Sequence, residues 1–239
     1  MSSDPYRIVS SIYDHIMHKL SYHEWSKYIS EIKSYYKNDA DIFLEIACGT
    51  GKLNHYLKNI FKDVVMLDIS KSMLSKVDSS CKRVCADMTR LPFKDGFDYI
   101  YSTFDSINYI TDEEEIQKYF GEVRNILSDD GIFTFDASLE NNSLKNAKRL
   151  NRSGKYNGIE YQQSSFYEEK LRLHRNRFRM ELENGEIIEE VHTQKIYDFE
   201  FYFDASETTG LKVIDCYEAF TFEDADHDSE RIQFIMKKR

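Results

Sequence analysis

A glycine-rich turn is the segment best suited to binding a ligand. Residues 45–51 read Glu-Ile-Ala-Cys-Gly-Thr-Gly, between an apolar strand-like segment and a segment with helical periodicity. Gly49 and Gly51 permit a tight turn and let a ligand approach bare backbone. The helix beyond the turn offers free N–H groups and positive potential. The turn therefore predicts a nucleotide site, although two glycines alone do not specify which nucleotide.

Two acidic residues end the next two predicted strands. Asp68 lies 19 residues after Gly49, where a carboxylate can accept hydrogen bonds from both hydroxyls of a ribose. Asp87 stands beside Met88, so that a carboxylate can accept from the exocyclic amine of adenine while an apolar neighbour packs on the ring. Ligands of open α/β sheets bind at the carboxyl ends of the strands, and we expect the turn and both acids to meet there.

A dinucleotide is the main alternative ligand. Its pyrophosphate motif is Gly-x-Gly-x-x-Gly, but the last glycine of the motif falls on Asn54 when counted from Gly49 and on Lys52 when counted from Ala47. The motif is broken in both frames. A ligand with adenosine and no pyrophosphate is therefore favoured over the cofactor of an NAD-dependent oxidoreductase.

Alternating strands and helices position these residues. Such alternation implies right-handed crossovers and a largely parallel sheet with helices on both faces. Thr111 is the predicted N-cap of the helix that starts at residue 112, and residues 129–131 are a predicted turn. The predicted helices are 6–18, 22–36, 52–61, 70–78, 112–127 and 198–209, and the predicted strands are 41–46, 64–68, 83–86, 97–102, 132–135, 211–214 and 231–236.

The strand–helix alternation stops near residue 138. Polar residues at 139–158 predict a loop or an irregular helix, and strand-like alternation over 159–196 is divided by Asn184-Gly185, a strong hairpin signal. The predicted fold class is α/β, a doubly wound, mostly parallel seven-stranded sheet with an antiparallel β insertion. We predict a main domain of residues 1–137 and 198–239 and an insertion at 138–197 that caps the acceptor site.

The motifs, taken in order, resemble those of class I S-adenosylmethionine-dependent methyltransferases. The similarity covers residues 40–137 and includes Leu67-Asp68-Ile69-Ser70 and Ala86-Asp87-Met88 besides the glycine turn. Outside that range, Tyr13-Asp14 and residues 190–197 are similar to a subgroup of small bacterial methyltransferases that includes sugar N-methyltransferases of antibiotic pathways. The resemblance implies a Rossmann-like fold and a methyltransferase that uses S-adenosyl-L-methionine.

The resemblance also implies roles for individual residues. The turn would face the methionine part of the cofactor, with Glu45 beneath it, Asp68 on the ribose and Asp87 on the base. Thr103 and Phe104 would lie near the sulfonium, and Tyr13 would close over the methionine end. The predicted cofactor-binding residues are Tyr13, Glu45, Ala47, Gly49, Gly51, Asp68, Ile69, Met73, Asp87, Met88, Thr103 and Phe104.

Methyl transfer needs few reactive side chains from the protein, because alignment of the reactants and exclusion of water supply much of the acceleration. An amine nucleophile must be neutral, and an oxygen nucleophile can need a general base. Tyr109 and His192 are the predicted catalytic residues near the acceptor pocket. A core tyrosine and a structural histidine are the alternatives that the sequence leaves open.

Charge and composition limit the partners that the protein is expected to bind. The 239 residues carry 32 basic and 42 acidic side chains, a net charge of −10, which disfavours sequence-independent binding of nucleic acid. No apolar run approaches the roughly 20 residues of a membrane span, and no signal-peptide pattern opens the chain. We predict a cytoplasmic monomer or homodimer with a small-molecule acceptor, no bound metal, and neither nucleic acid nor a membrane as partner.

Two alternative functions stay open at this stage. One is methylation of a protein or an RNA, of which the acidic charge disfavours the RNA. The other is a protein that binds S-adenosylmethionine or S-adenosylhomocysteine without catalysis.

Overall fold

The computed structural model describes residues 4–94 and 96–239, which contain two β-sheets and seven α-helices. The strands are β1 (Phe43–Ile46), β2 (Val65–Asp68), β3 (Lys82–Cys85), β4 (Phe97–Ser102), β5 (Leu127–Ser138), β6 (Arg152–Tyr156), β7 (Ile159–Glu168), β8 (Leu173–Glu181), β9 (Ile187–Lys195), β10 (Leu211–Glu218) and β11 (Arg231–Lys238). The helices are α1 (Tyr13–Ile16), α2 (Tyr22–Tyr36), α3 (Lys52–Leu57), α4 (Lys71–Leu74), α5 (Glu113–Ile126), α6 (Glu140–Arg149) and α7 (Phe201–Thr209), with 3₁₀ turns at Val9–Ser11 and Ser106–Tyr109.

The main sheet has seven strands in the order β10-β11-β5-β4-β1-β2-β3. Its five strands from β5 to β3 are parallel, whereas β11 runs antiparallel to both β5 and β10. From β1 the sheet extends through β2 to β3 on one side, and from β4 it extends through β5 to β11 and β10 on the other. The switch point between β1 and β4 is where an open α/β sheet leaves a crevice for a ligand. The predicted doubly wound, mostly parallel sheet is confirmed.

Both faces of the main sheet are buried, as parallel strands require. On β4, Ile100 packs towards α5 and α7, while Tyr99 and Tyr101 pack with α2 and α3 on the opposite face. All three side chains are fully buried. This two-sided packing holds the strand ends, and the loops that follow them, in fixed positions.

The second sheet is antiparallel, with the order β6-β7-β8-β9, and is not hydrogen-bonded to the main sheet. The predicted hairpin at Asn184-Gly185 is confirmed between β8 and β9: Gly185 adopts a left-handed φ of 80° and the Asn184 Oδ1 accepts from the Glu186 N–H at 3.0 Å. With α6, this sheet occupies most of residues 138–197. The division into two domains at those boundaries stays a prediction.

The chain before α2 departs from the predicted helix at 6–18. It forms the 3₁₀ turn and the four-residue α1, because Val9, Ile12 and Ile16 pack on the second sheet with Phe178 and Met180. The Glu190 carboxylate accepts from the Ile8 and Val9 backbone N–H groups, which therefore need no helical partner. The apolar side chains of this segment do pack together, but the prediction of a regular helix was wrong.

Several predicted boundaries are also wrong. The helix predicted at 52–61 ends at Leu57, which leaves Ile60 half exposed. Asp112 caps α5 in place of Thr111, since its Oδ1 accepts from the Glu114 and Glu115 N–H groups at 2.9 and 3.2 Å. The predicted turn at 129–131 lies inside the longer strand β5.

The predicted loop or irregular helix at 139–158 is instead the regular helix α6 followed by β6. Only Ser143 of α6 is buried, so the helix shows no apolar stripe in the sequence. None of the helices that the structure describes is both long and apolar enough to cross a membrane.

Substituting the glycine at the start of α3 should destabilise the fold. Gly51 has φ of 73°, and an added Cβ would lie 2.8 Å from the Met66 methyl carbon and 3.1 Å from a Val77 methyl. We expect Gly51→Ala to lower the free energy of unfolding by about 1–2 kcal/mol or more. Gly121→Ala is the control: this α5 position has open space, and alanine should stabilise by about 0.5–1 kcal/mol. Urea titration measures the free energy of unfolding of both variants, and an equal change in the two would contradict the prediction.

Candidate active site

A cavity of about 860 Å³ lies over the carboxyl ends of β1, β2, β3 and β4. The N-terminal segment before α2 and the inner face of the second sheet complete its walls. This volume lies in the range of small-ligand and cofactor sites. The enclosing elements come from parts of the chain that are distant in sequence, so only the fold brings them together.

The glycine turn forms one wall of the cavity. Ala47, Gly49 and Gly51 all have left-handed φ, of 58°, 57° and 73°, and the Cys48 N–H donates to the Leu67 carbonyl at 2.9 Å, which holds the turn against the end of β2. A Cβ placed on Gly49 would meet nothing within 4 Å, because that residue faces open space. The Thr50 hydroxyl donates to Asp14 at 2.8 Å, which fixes α1 to the turn.

Asp68 joins the turn to the end of β2. Its two carboxylate oxygens accept from the Gly49 and Ser70 backbone N–H groups, both at 2.8 Å. The side chain is 8% exposed, and this burial raises its pKa. Each carboxylate oxygen can accept a further hydrogen bond. Asp68 can therefore bind ligand hydroxyl groups without releasing either loop.

Glu45 is the most deeply buried carboxyl group of the cavity wall. It is 2% exposed, the Tyr101 hydroxyl donates to it at 3.3 Å, and no ion pair to it occurs in residues 4–94 and 96–239. Burial raises the pKa of Glu45 to about 8. A buried carboxyl with no cation beside it is suited to an ammonium group that the ligand brings.

An aromatic cluster from the N-terminal segment, the loop after β4 and β9 lines the cavity. Tyr6 stacks on His192 with ring centroids 4.0 Å apart, and it contacts the rings of Tyr13 and Tyr109 at centroid distances of 6.0 and 6.2 Å. The Glu190 Oε2 lies 3.5 Å from the His192 Nε2. The structure therefore brings Tyr13, Tyr109 and His192 together, through a tyrosine that the sequence analysis missed.

A buried ion network supports the floor of the cavity. Arg231 pairs with Asp136 and with Asp105, the latter at 2.9 Å, and the Gln194 side-chain amide donates to Asp105 at 2.7 Å. Asp105 has a left-handed φ of 49°. No local pattern in the sequence predicts this network, because its members lie on β5, β9, β11 and the loop after β4. Their packing fixes the loop that carries Thr103, Phe104 and Tyr109.

Of the fourteen predicted site residues, thirteen line the cavity. The prediction for Gly51 is wrong: this N-cap residue of α3 faces the core side chains of Met66 and Val77 instead of the cavity. The lining residues are Tyr13, Glu45, Ala47, Gly49, Asp68, Ile69, Met73, Asp87, Met88, Thr103, Phe104, Tyr109 and His192.

The residues present fit an adenosyl amino acid. Ile69 is 51% exposed although it is apolar, and with Met73 and Met88 it offers a surface on which a planar base can pack. Asp87 is exposed and uses its Oδ1 to accept from the Thr89 N–H and hydroxyl at 2.9 Å. Glu45 supplies a partner for an amino group and Asp68 supplies acceptors for a ribose.

Comparison with known proteins gives methyltransferases. A family model described as a methyltransferase domain matches residues 43–131. A Geobacillus sp. (strain WCH70) protein named as a methyltransferase is 26% identical over 242 residues, 95% of this chain and 96% of that protein. A crystal structure of an S-adenosylmethionine-dependent methyltransferase from Clostridium acetobutylicum has a TM-score of 0.80 and 26% identity, with 98% of each chain covered. A sugar N-methyltransferase from Streptoalloteichus sp. shares the fold, with a TM-score of 0.78 and 15% identity over 100% of this chain and 96% of that one.

The buried carboxyl of Glu45 should make stability depend on pH. Its ordinary pKa of 4.5 rises to about 8 on folding, so between those values the folded protein holds a proton that the unfolded chain releases. The free energy of unfolding should therefore fall as pH rises through this window, by up to about 1.4 kcal/mol per pH unit. Glu45→Gln should remove this contribution and be more stable than the wild type at pH 8.5.

Urea titration at several pH values between roughly 5 and 9, the window of this linkage, measures the difference. Glu31→Gln, on the exposed face of α2, is the matched control and should follow the wild type. A difference between Glu45→Gln and wild type that does not change with pH would refute the assignment.

Proposed function

Since the chain belongs to the class I S-adenosylmethionine-dependent methyltransferases, we propose that it methylates a small-molecule acceptor held between the main sheet and the second sheet. The observation that carries this proposal is the enclosure of the cavity. The N-terminal segment and the second sheet both contribute walls to it. A small molecule fits such a space, whereas a folded protein or an RNA helix needs an open surface.

The cofactor roles proposed for individual residues follow from their chemistry. Asp68 accepts from the ribose hydroxyl groups, and Asp87 with Met88 and Ile69 holds the adenine. Glu45 pairs with the amino group beneath the glycine turn. Tyr13, Thr103 and Phe104 surround the methionine end, where they exclude water.

The proposed reaction needs a neutral nucleophile and a dry, aligned site. When bound, S-adenosylmethionine would supply the methyl group: the bond to the sulfonium would break as a bond to the acceptor nitrogen or oxygen forms, and S-adenosylhomocysteine and a proton from the acceptor would be left. We assign removal of that proton to His192, assisted by Tyr109. Glu190, whose Oε2 lies 3.5 Å from the His192 Nε2, positions the ring.

An amino sugar is one acceptor class that the comparison favours, because the Streptoalloteichus structure is named as a sugar N-methyltransferase. The polar inner face of the second sheet is suited to a ligand rich in hydroxyl or amine groups. Methylation of a protein and cofactor binding without catalysis are the competing functions. The cytoplasmic location and the monomeric or dimeric state stay predictions from the sequence.

Removing the Asp68 carboxylate should abolish cofactor binding. S-adenosylhomocysteine at a hundredfold its Kd should stabilise the wild type by about 2.7 kcal/mol, seen as a rise in Tm. Asp68→Ala should lose this rise. Because Asp68 also holds two loops, Ile69→Asp is a second variant: that side chain is 51% exposed, so the fold tolerates a charge there while the adenine does not.

Asp41→Ala is the control, since Asp41 is exposed and its side chain makes no hydrogen bond or ion pair within the described part of the chain. It should keep the full rise in Tm. If saturating S-adenosylhomocysteine leaves the wild-type Tm unchanged, the proposed function fails. Binding without turnover across amine and hydroxyl acceptors would instead establish the non-catalytic alternative.

Replacing the proposed base should lower turnover without weakening cofactor binding. We expect His192→Gln to reduce kcat by about a hundredfold, with the KM for S-adenosylmethionine unchanged. Formation of S-adenosylhomocysteine, with the amine or hydroxyl acceptor that the wild type methylates fastest, measures both. His227→Gln, at an exposed loop histidine, should behave as wild type. An unchanged kcat in His192→Gln would make that residue structural.

A further inference from the structure

A row of polar side chains crosses the inner face of the second sheet. Its members are Arg152 on β6, Gln163 on β7, Asn176 on β8 and His192 on β9, and we call these four residues the polar row. Arg152 is paired in register with Gln163, and Asn176 with His192. All four line the cavity. Gln163 and His192 are 5% and 8% exposed, so the row lies where strands usually bury apolar side chains.

Hydrogen bonding fixes the direction in which the row presents its donors. The Arg152 Nε donates to the Gln163 Oε1 at 2.7 Å, and the Gln163 Nε2 donates to the Asn176 Oδ1 at 3.2 Å. An arginine can only donate, so the glutamine oxygen must face it. The glutamine amide must then face the asparagine oxygen. Asn176 is left presenting its NH₂ group, and the row offers donors to a ligand.

Arg152 carries a positive charge with no anionic partner. Within residues 4–94 and 96–239 it makes no ion pair, and its only hydrogen bond goes to the neutral Gln163 amide. Partial burial lowers its pKa. The other arginine of the cavity, Arg231, is paired with two aspartates. A partly desolvated guanidinium without a counter-ion is stabilised by an oxyanion that a ligand brings, and its fork matches a carboxylate or a phosphate.

The spacing of the strands separates this charge from His192. The bond to Gln163 draws the guanidinium of Arg152 over β7, and His192 stands on β9. Two strand spacings separate β7 from β9, roughly 10 Å. A ligand that reaches both Arg152 and His192 is therefore longer than an α-amino acid, whose amine and carboxylate share one carbon.

We propose that the methyl acceptor carries an oxyanion, a carboxylate or a phosphate, that Arg152 binds with the amide donors of the polar row while the nucleophile lies at the His192 end. This inference rests on the proposed function and specifies the acceptor of the same cavity. It makes Arg152 a residue that determines specificity, with no part in holding the cofactor.

The test uses matched ligand pairs on the full chain loaded with S-adenosylhomocysteine. One pair is ω-aminooctanoate and its neutral amide, ω-aminooctanamide; the other is ω-aminohexyl phosphate and ω-aminohexanol. Titration followed by ligand-observed NMR gives each Kd. The wild type should bind the anionic member of at least one pair roughly tenfold more tightly than its neutral partner, and the pair that discriminates identifies carboxylate or phosphate.

Arg152→Gln should remove that discrimination, and Arg152→Lys should restore part of it. Arg149→Gln, which removes the same charge from the exposed face of α6, should keep it. Equal Kd values within both pairs for the wild type, or discrimination that survives Arg152→Gln, would overturn the inference. Binding of S-adenosylhomocysteine is measured first in every variant. If the wild type does not bind it, the proposed function fails. If the wild type binds it but either result above is found, only the inference about the acceptor fails.

Discussion

The shape of the cavity depends on the two hydrogen bonds that the Asp68 carboxylate accepts. One oxygen accepts from the glycine turn after β1 and the other from the loop after β2, so a single side chain joins two neighbouring strand ends. The left-handed residues of the turn are held in a conformation that costs free energy for a side chain such as Ala47. The hydrogen bond from Gly49 compensates for part of this cost. In the proposed function, the same carboxylate accepts from the ribose of the cofactor.

A second constraint comes from buried charge. Glu45 and Arg152 lie on opposite walls of one cavity, and in the described residues neither forms an ion pair. Folding therefore leaves an acid without a cation at the proposed cofactor end and a cation without an acid at the proposed acceptor end. Both arrangements reduce stability, and both are suited to ligands that bring the missing charge. Arg231, in contrast, is neutralised by two aspartates, and this pairing indicates a structural role for it.

The sequence predicted the main sheet well, because its signals are local. Apolar strands, turn residues and the spacing of Asp68 and Asp87 all follow from short segments, and the hairpin at Asn184-Gly185 is read from two residues. The N-terminal helix was wrong because packing on a distant sheet replaced regular helical bonds there. Tyr6, Glu190 and the Asp105–Arg231–Asp136 network were missed, since each depends on contacts between segments that only the folded chain brings together. The polar row was missed for a similar reason: alternation marks the strands but not which polar residues face inward.

The N-terminal segment has a consequence for the timing of the catalytic cycle. It covers the cavity with a 3₁₀ turn and one helical turn, fastened by N–H groups to Glu190 and by the stacking of Tyr6 on His192. Such short segments open at a low free-energy cost compared with a sheet. Because the segment lines the cavity, its opening widens the path by which a ligand enters and the products of the proposed reaction leave. We expect its opening, on the microsecond to millisecond scale of loop motions, to set the residence time of the products.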